Sequence, residues 1–247
     1  MSIVALTGVD KTFGTGSGAV TALASVDLHV ERGEFVCLIG ASGCGKSTIL
    51  NLVAGLEAPS AGTVDVDGRV AMMFQESALF PWLTVADNVQ LPMRLAGIGR
   101  TRRAARSREL IATVKLDGFA DKRPHQLSGG MRQRAALARA FAQDADILLM
   151  DEPFGALDAM TRDILHEELD GLVQARGLTV LFVTHNVREA ARLADRIVVM
   201  SPHPGRVTAE LSVDIERPRR IDTPAVSALA RTVTDRLRDE AIAHAHR

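Results

Sequence analysis

The run Gly40-Ala41-Ser42-Gly43-Cys44-Gly45-Lys46-Ser47-Thr48 constrains this chain more than any other stretch. It fits the pattern G-x-x-x-x-G-K-[ST], a phosphate-binding loop. Just before it, Phe35-Val36-Cys37-Leu38-Ile39 is a short apolar run that reads as a buried strand. Just after it, Thr48 to Ala54 reads as a helix, with Gly55 placed to end it. Strand, glycine-rich turn and helix are what phosphate binding requires. Glycines let backbone N–H groups turn inward without a Cβ in the way. The helix N-terminus adds unpaired N–H groups and partial positive charge. Lys46 has the reach for β- and γ-phosphates, and the Ser47 hydroxyl is placed to ligand Mg²⁺. A chance glycine-rich loop is the competing reading, and the strand–loop–helix context argues against it.

A chain of 247 residues has room for one α/β domain, with or without a sizeable insertion. No uninterrupted apolar run is long enough to cross a bilayer, and Met1 to Asp10 has neither a basic flank nor a small-residue cleavage site. The expectation is a cytoplasmic chain whose membrane role, if any, comes through a partner. A formal net charge of −1 gives no electrostatic case for nucleic acid as the main ligand. The two cysteines, Cys37 and Cys44, fall in the predicted strand and the phosphate loop. That placement and the absence of zinc-like spacing fit a reducing compartment.

In chain order, residues 3–30 read as β-structure interrupted by a turn at Gly14–Gly18, with Phe13 just before it. Phe13 reads either as a core aromatic or as a flat ring on which adenine stacks. Gly62 to Asp67 alternates, and Val70 to Phe74 reads as a buried strand running into Gln75. A glutamine there is either solvated or ligand-facing. From Val85 to Phe141 helical spacing takes over, and the basic run Arg100, Arg102, Arg103, Arg106, Arg108 reads as a solvated helix face rather than a nucleic-acid or lipid patch. Ser128 is a good N-cap, and Gly129 and Gly130 open the start of the helix that follows to an anion. Ile147 to Met150 reads as a strand ending in Asp151 and Glu152, acids placed to hold Mg²⁺ and to deprotonate a water. A helix with Ile164, Leu165, Leu169, Leu172 and Val173 on one side ends at Gly177. Leu178 to Val183 is a strand delivering His185. Ile197 to Met200 is another, residues 203–220 are short β-structure and loop, and Val226, Leu229, Val233, Leu237 and Ile242 predict an amphipathic helix.

Together these pieces resemble the ATP-binding subunit of an ABC transporter over essentially the whole chain. The stretch Leu127-Ser128-Gly129-Gly130-Met131-Arg132-Gln133 looks like the family's signature, far more specific than the phosphate loop alone, and it precedes the Asp151-Glu152 strand. Gln75, Asp158 and His185 stand in the family's order. The resemblance implies an α/β fold: a P-loop NTPase core with a mainly parallel sheet, an antiparallel β-subdomain and an inserted α-helical subdomain. The single ATP-binding domain would span 1–247, with core 1–84 and 142–203, helices 85–141 and a short extension 204–247. ATP and Mg²⁺ are the implied cofactors. Phe13 would stack on adenine, and Gly40, Ala41, Ser42, Gly43, Cys44, Gly45, Lys46, Ser47 and Thr48 would wrap the phosphates. Ser47 and Asp151 would serve the metal, Gln75 would touch Mg²⁺ or the attacking water beside the transmembrane contact, Glu152 would be the general base, and His185 the switch histidine; Glu152, His185, Gln75 and Lys46 would be the catalytic set. Ser128, Gly129 and Gly130 would reach the γ-phosphate held by a second copy, with Ala156-Leu157-Asp158 at that dimer interface.

Implied partners are integral-membrane permease subunits, a second copy of the chain and, indirectly, an extracytoplasmic solute-binding protein, with no nucleic acid. The place of action would be the cytoplasmic face of the cell membrane. Phe80 to Val89 resembles the region that receives a coupling helix from the membrane subunit; Trp82 would be a contact there, or ordinary packing. Met131, Pro81-Trp82 and Ser201-Pro202-His203-Pro204-Gly205-Arg206 look like importers of the nitrate, sulfonate and taurine group. A non-transport ABC ATPase acting on DNA or ribosomes is the alternative, and a metabolic P-loop kinase a third. Asn186 stands where many members carry an acid, Phe13 where tyrosine is common, and Cys44 in the loop predicts sensitivity to thiol alkylation.

Overall fold

A computed structural model describes residues 2–155 and 157–245. The first half runs β1 (Ser2–Phe13), β2 (Val20–Glu31), β3 (Phe35–Gly40), α1 (Lys46–Val53), β4 (Ala61–Val66), β5 (Val70–Met73), α2 (Val85–Leu95) and α3 (Arg100–Thr113). Then come α4 (Gly129–Phe141), β6 (Ile147–Asp151), α5 (Ala159–Arg176), β7 (Thr179–Val183), α6 (Val187–Leu193), β8 (Arg196–Ser201), β9 (Arg206–Ser212) and α7 (Pro224–Ala245). The chain divides into two compact units, Met1–Gly68 with Thr179–Arg247, and Arg69–Leu178.

The first unit holds an antiparallel sheet, β2-β1-β4, and the parallel run β7-β3-β8 with β9 antiparallel on its edge. Every residue of β3 and of β7 is buried. That is why these strands read as continuous apolar runs, whereas β9, an edge strand, alternates. Register fixes where they deliver their ends. Leu38 pairs with Val183 and Gly40 with Met200, so the phosphate loop, the His185 turn and the β8–β9 turn all leave the same edge of the sheet.

At the opposite edge Arg196 ties strands together. Its guanidinium donates to Glu34 at 2.7 and 3.0 Å, to Glu210 at 2.5 Å and to the His29 carbonyl. Its pKa is raised, chiefly by the hydrogen bonds to Glu34. The C-terminal segment is held in the same unit. Arg217 donates to the Leu193 carbonyl (2.6 Å) and to Asp195 (2.7 Å), while buried Arg219 donates to the carbonyls of Ile215 (2.7 Å), Val213 (3.2 Å) and Ala194. The bonds to Leu193 and Ala194 satisfy carbonyls at the end of α6 that the helix leaves over. Over them Val226 and Ala230 of α7 pack on Ala191. Val233 is buried as its spacing predicts, but Ile242 is 58% exposed: the apolar face is used where α6 and β8 lie beneath α7 and not at its far end.

In the second unit β5 pairs parallel with β6, Met73 opposite Met150, so Gln75 and the Asp151-Glu152 pair follow the same edge of that two-stranded ribbon. Helices α2, α3 and α4 pack on one another. Among the arginines of α3, Arg100, Arg102 and Arg108 are exposed, as a solvated face requires. Leu165, Leu169 and Val173 form the buried stripe of α5, which ends at Gly177 with φ 60°.

Replacing Arg219 with alanine takes the guanidinium donor from the buried Val213 and Ala194 carbonyls and from the half-buried Ile215 carbonyl. Denaturant titration of R219A should show a loss of about 3 kcal/mol of unfolding free energy; a loss below about 0.5 kcal/mol would mean that water replaces the guanidinium freely.

Candidate functional site

In the first unit the phosphate loop joins β3 to α1. Helix α1 begins at Lys46, two residues earlier than the apolar spacing predicts, because Gly45 is its N-cap in the left-handed region at φ 86°. Only glycine fits this position: a Cβ on Gly45 would stand 2.4 Å from Leu23 Cδ2. The early start puts Lys46, Ser47 and Thr48 in the first turn, where N–H groups have no helical acceptor. Lys46 is buried, and its ammonium donates to the carbonyls of Gly40 (2.9 Å) and Ala41 (3.0 Å) and lies 3.4 Å from Cys44 Sγ. A cation is thus fixed at the loop itself.

Cys44 is fully buried, against the expectation of an alkylation-sensitive thiol. Its Sγ lies inside the loop, where a Cβ on Gly40 would meet it at 2.8 Å, so a reagent has no approach to the sulfur. Cys37 is buried too, and burial pushes its thiol pKa up, with Glu189 adding to the effect. Phe13 ends β1 at 40% exposure, with the Lys11 ammonium 4.7 Å from its ring centroid; its core reading is set aside. Lys11 is itself fixed by Glu57 (2.7 Å) and the Ala58 carbonyl (2.9 Å).

His185 is exposed on the turn after β7. Its neighbours are pinned. The Thr184 hydroxyl donates to buried Glu189 at 2.6 Å, and Asn186 caps α6 by accepting from Arg188 N (3.0 Å) and Glu189 N (3.4 Å). Asparagine caps as well as an acid would, so this departure from the family pattern keeps the turn.

The second unit carries the other candidate residues. Asp151 ends β6, and Glu152 turns out of the strand with φ 43°, a left-handed conformation that costs a non-glycine residue about 1 kcal/mol or more. The loop that follows is held by Arg162, which donates to the carbonyls of Phe154 (3.3 Å) and Leu157 (2.8 Å). Asp158 is the N-cap of α5, accepting from Thr161 N at 2.9 Å, and these hydrogen bonds hold its carboxyl below the ordinary range. Ala156 lies outside the described residues. Ser128 caps α4, accepting from Met131 N at 3.3 Å. Gly130 backs onto α5, where a Cβ would stand 2.9 Å from Thr161 Cγ2, while Gly129 is open.

Gln75 is exposed, and its carbonyl accepts from Gln133 of α4 at 2.7 Å. Arg139 of the same helix donates to the carbonyls of Ala78 (2.6 Å) and Ser77 (3.1 Å). Asn88, fully buried, accepts from Phe80 N (2.9 Å) and donates to the Thr84 carbonyl (2.9 Å). The segment after Gln75 is thereby a shaped loop. It presents Trp82, 67% exposed and so outside the core, against Phe80, with ring centroids 5.5 Å apart, beside a groove of about 390 Å³ that reaches Leu91 and Arg94. Arg139 lies in no motif, and although Gln133 closes the signature stretch and Asn88 falls within Phe80–Val89, the loop contacts that all three make escape a reading by pattern.

Taken unit by unit, the first offers the Ser47 hydroxyl and the second the Asp151 carboxylate, each an oxygen donor of the kind that Mg²⁺ takes. Mg²⁺ characteristically takes one or two protein ligands and completes its shell with phosphates and water.

Comparison with known proteins agrees with this chemistry. A model of the ABC transporter family matches residues 23–155. The taurine import ATP-binding protein TauB of Burkholderia pseudomallei is 46% identical over 217 residues, covering 85% of this chain and 84% of the relative. The nitrate import ATP-binding protein NrtD of Synechocystis is 43% identical over 218 residues, covering 85% and 82%. A solved dimeric ATP-binding cassette in a post-hydrolysis state, bound to ADP and Pi, superimposes with a TM-score of 0.77 at 35% identity, covering 86% of this chain and 100% of that one.

Burial of both cysteines makes a direct prediction. Ellman's reagent should find neither thiol in the folded chain and both after denaturation. A stoichiometric fast reaction of the native protein would mean that the phosphate loop opens.

Proposed function

This chain belongs to the ABC transporter family and is an ATP-hydrolysing cassette, and on that premise we propose that it powers a bacterial-type importer of a small solute such as nitrate, a sulfonate or taurine. The observation that carries the proposal is that one chain holds both a phosphate loop opening α1 and a Ser128-capped helix start in the signature stretch. The relatives' roles as taurine and nitrate import proteins support the direction and the solute class. An ABC ATPase acting on DNA or ribosomes is not favoured.

In this reading Gly40 to Thr48 wrap the ATP phosphates, and Lys46 exchanges loop carbonyls for phosphate oxygens. Phe13 stacks on adenine with Lys11 behind it. Ser47, Gln75 and Asp151 would hold Mg²⁺, which when bound neutralises charge on the β- and γ-phosphate oxygens. Glu152 accepts a proton from the attacking water, and the products are ADP and phosphate. His185 hydrogen-bonds the γ-phosphate. Ser128, Gly129 and Gly130 complete the site from a second copy, with Asp158 at the same interface, so that ATP closes the dimer and hydrolysis opens it. Gly130 suits this: it brings α4 close to α5, while Gly129 leaves the helix start open.

The groove at Phe80 and Trp82 receives a helix of an integral-membrane permease subunit. Among the described residues no helix is long and apolar enough to cross a membrane, which fits a peripheral subunit on the cytoplasmic face, fed from outside by a solute-binding protein.

Glu152→Gln tests the assignment. Removing the base should lower turnover at least about hundredfold and trap an ATP-dependent dimer visible by light scattering. Full turnover in the variant overturns Glu152 as base; lost turnover without dimer overturns closure by the isolated pair.

A further inference from the structure

We propose that the turn between β8 and β9 is a positioning element for the phosphate loop, in which His203 and Gly205 hold Gly43–Gly45 in its anion-facing conformation and so set the affinity for the nucleotide polyphosphate. The inference rests on the reading of Gly40–Thr48 as the phosphate cradle. It starts from register: Gly40 pairs with Met200, so the chain leaving β8 turns beside the loop leaving β3.

Gly205 is buried at the end of the turn, directly before β9. Its N–H donates to the Ala22 carbonyl at 2.9 Å, and its carbonyl accepts from Ala24 N at 3.0 Å, which locks the turn onto β2 as a one-residue parallel bridge at Leu23. From that position it bears on the phosphate loop. A Cβ on Gly205 would stand 2.2 Å from the Cys44 carbonyl oxygen and 3.0 Å from the Cys44 carbonyl carbon. Close by, a Cβ on Gly45 would be 2.4 Å from Leu23 Cδ2 and 3.0 Å from the Ala22 carbonyl oxygen, the same oxygen that a Cβ on Gly205 would meet at 3.0 Å. The Cys44–Gly45 backbone is therefore packed against the turn and β2 together, with no room for a methyl group at either contact.

His203 extends the wall by two residues. A methyl placed on Gly43 would lie 3.5 Å from its Cε1 and 3.7 Å from its Nε2, ordinary contact distances, so the imidazole edge borders the loop at Gly43. His203 is itself left-handed, with φ 46°. A residue keeps such a conformation only where its surroundings determine it.

The physical consequence follows from how the loop binds. Backbone N–H groups act on phosphate oxygens only while they point inward, and that curvature brings successive peptide dipoles together. A rigid back wall keeps it from relaxing before the nucleotide arrives. The affinity then reflects preorganisation supplied by residues that never touch the ligand.

Binding of a fluorescent ADP analogue to the full chain, steady-state ATPase kinetics and the melting temperature without nucleotide test this together. His203→Ala should weaken ADP about fivefold and raise KM for ATP to match, with kcat within about twofold and the melting temperature unchanged. Gly205→Ala should weaken ADP about a hundredfold, because the loop must shift by about 1 Å; if it fails to fold, His203→Ala decides alone. Unchanged affinity in His203→Ala beside a parent that binds ADP overturns the inference and leaves the site reading intact. So does a fall in kcat at constant KM. A parent that binds no ADP overturns the phosphate-loop reading and the inference with it.

Discussion

Strand β3 is buried along its whole length and hydrogen-bonded on both edges by parallel neighbours, and the chemistry of the first unit depends on that confinement. A strand so placed cannot slip without breaking the hydrogen bonds on both of its edges in a buried setting where water cannot replace them. Its C-terminal end is therefore a fixed point. From it the chain must reach the start of α1 in five residues, and the left-handed Gly45 makes the final reversal possible. The neighbouring strands deliver their own loops to the same edge by the same register, so that edge collects Lys46, His185 and the β8–β9 turn without any of these segments having to find one another.

The second unit solves a different problem with different means. Its candidate residues sit on loops, and loops need partners for their backbone polar groups. The helices supply them. Gln133 and Arg139 project from α4 onto the carbonyls of Gln75, Ser77 and Ala78, while Asn88 from α2 binds both ends of the segment Phe80–Thr84. Side chains that look like ordinary helix polar residues are in effect a mould for the loop. Its apolar tip, Phe80 and Trp82, can then stand in solvent without collapsing onto the core.

Local features of this protein were legible in its residues. The strand–loop–helix of the phosphate site, the Ser128 cap and the Gly177 stop follow from short-range stereochemistry, which needs no knowledge of the fold. Burial was harder to read. Cys44 looked accessible because it lies in a loop, yet the loop folds around its sulfur. The apolar positions of α7 promised a longer buried face than α6 and β8 can cover, so Ile242 is left in solvent. Phe13 and Trp82 each allowed a reading as core packing that their exposure removes. What pattern could not reach at all was contact across the sheet edge. Gly205 is an unremarkable turn glycine until the β3–β8 register sets it against Cys44. Arg217 and Arg219 are two more basic residues until the end of α6 gives them carbonyls.

The left-handed backbone at Glu152 has a consequence for anyone improving this protein's robustness. Glycine at that position would shed the conformational penalty, and asparagine would reduce it. Backbone statistics alone would therefore recommend either one. Both would remove the acid proposed to activate water. Selection for thermal resistance and selection for turnover pull in opposite directions at this one residue, and a library screened only for resistance to heat would drift toward cassettes that bind nucleotide firmly and do nothing with it.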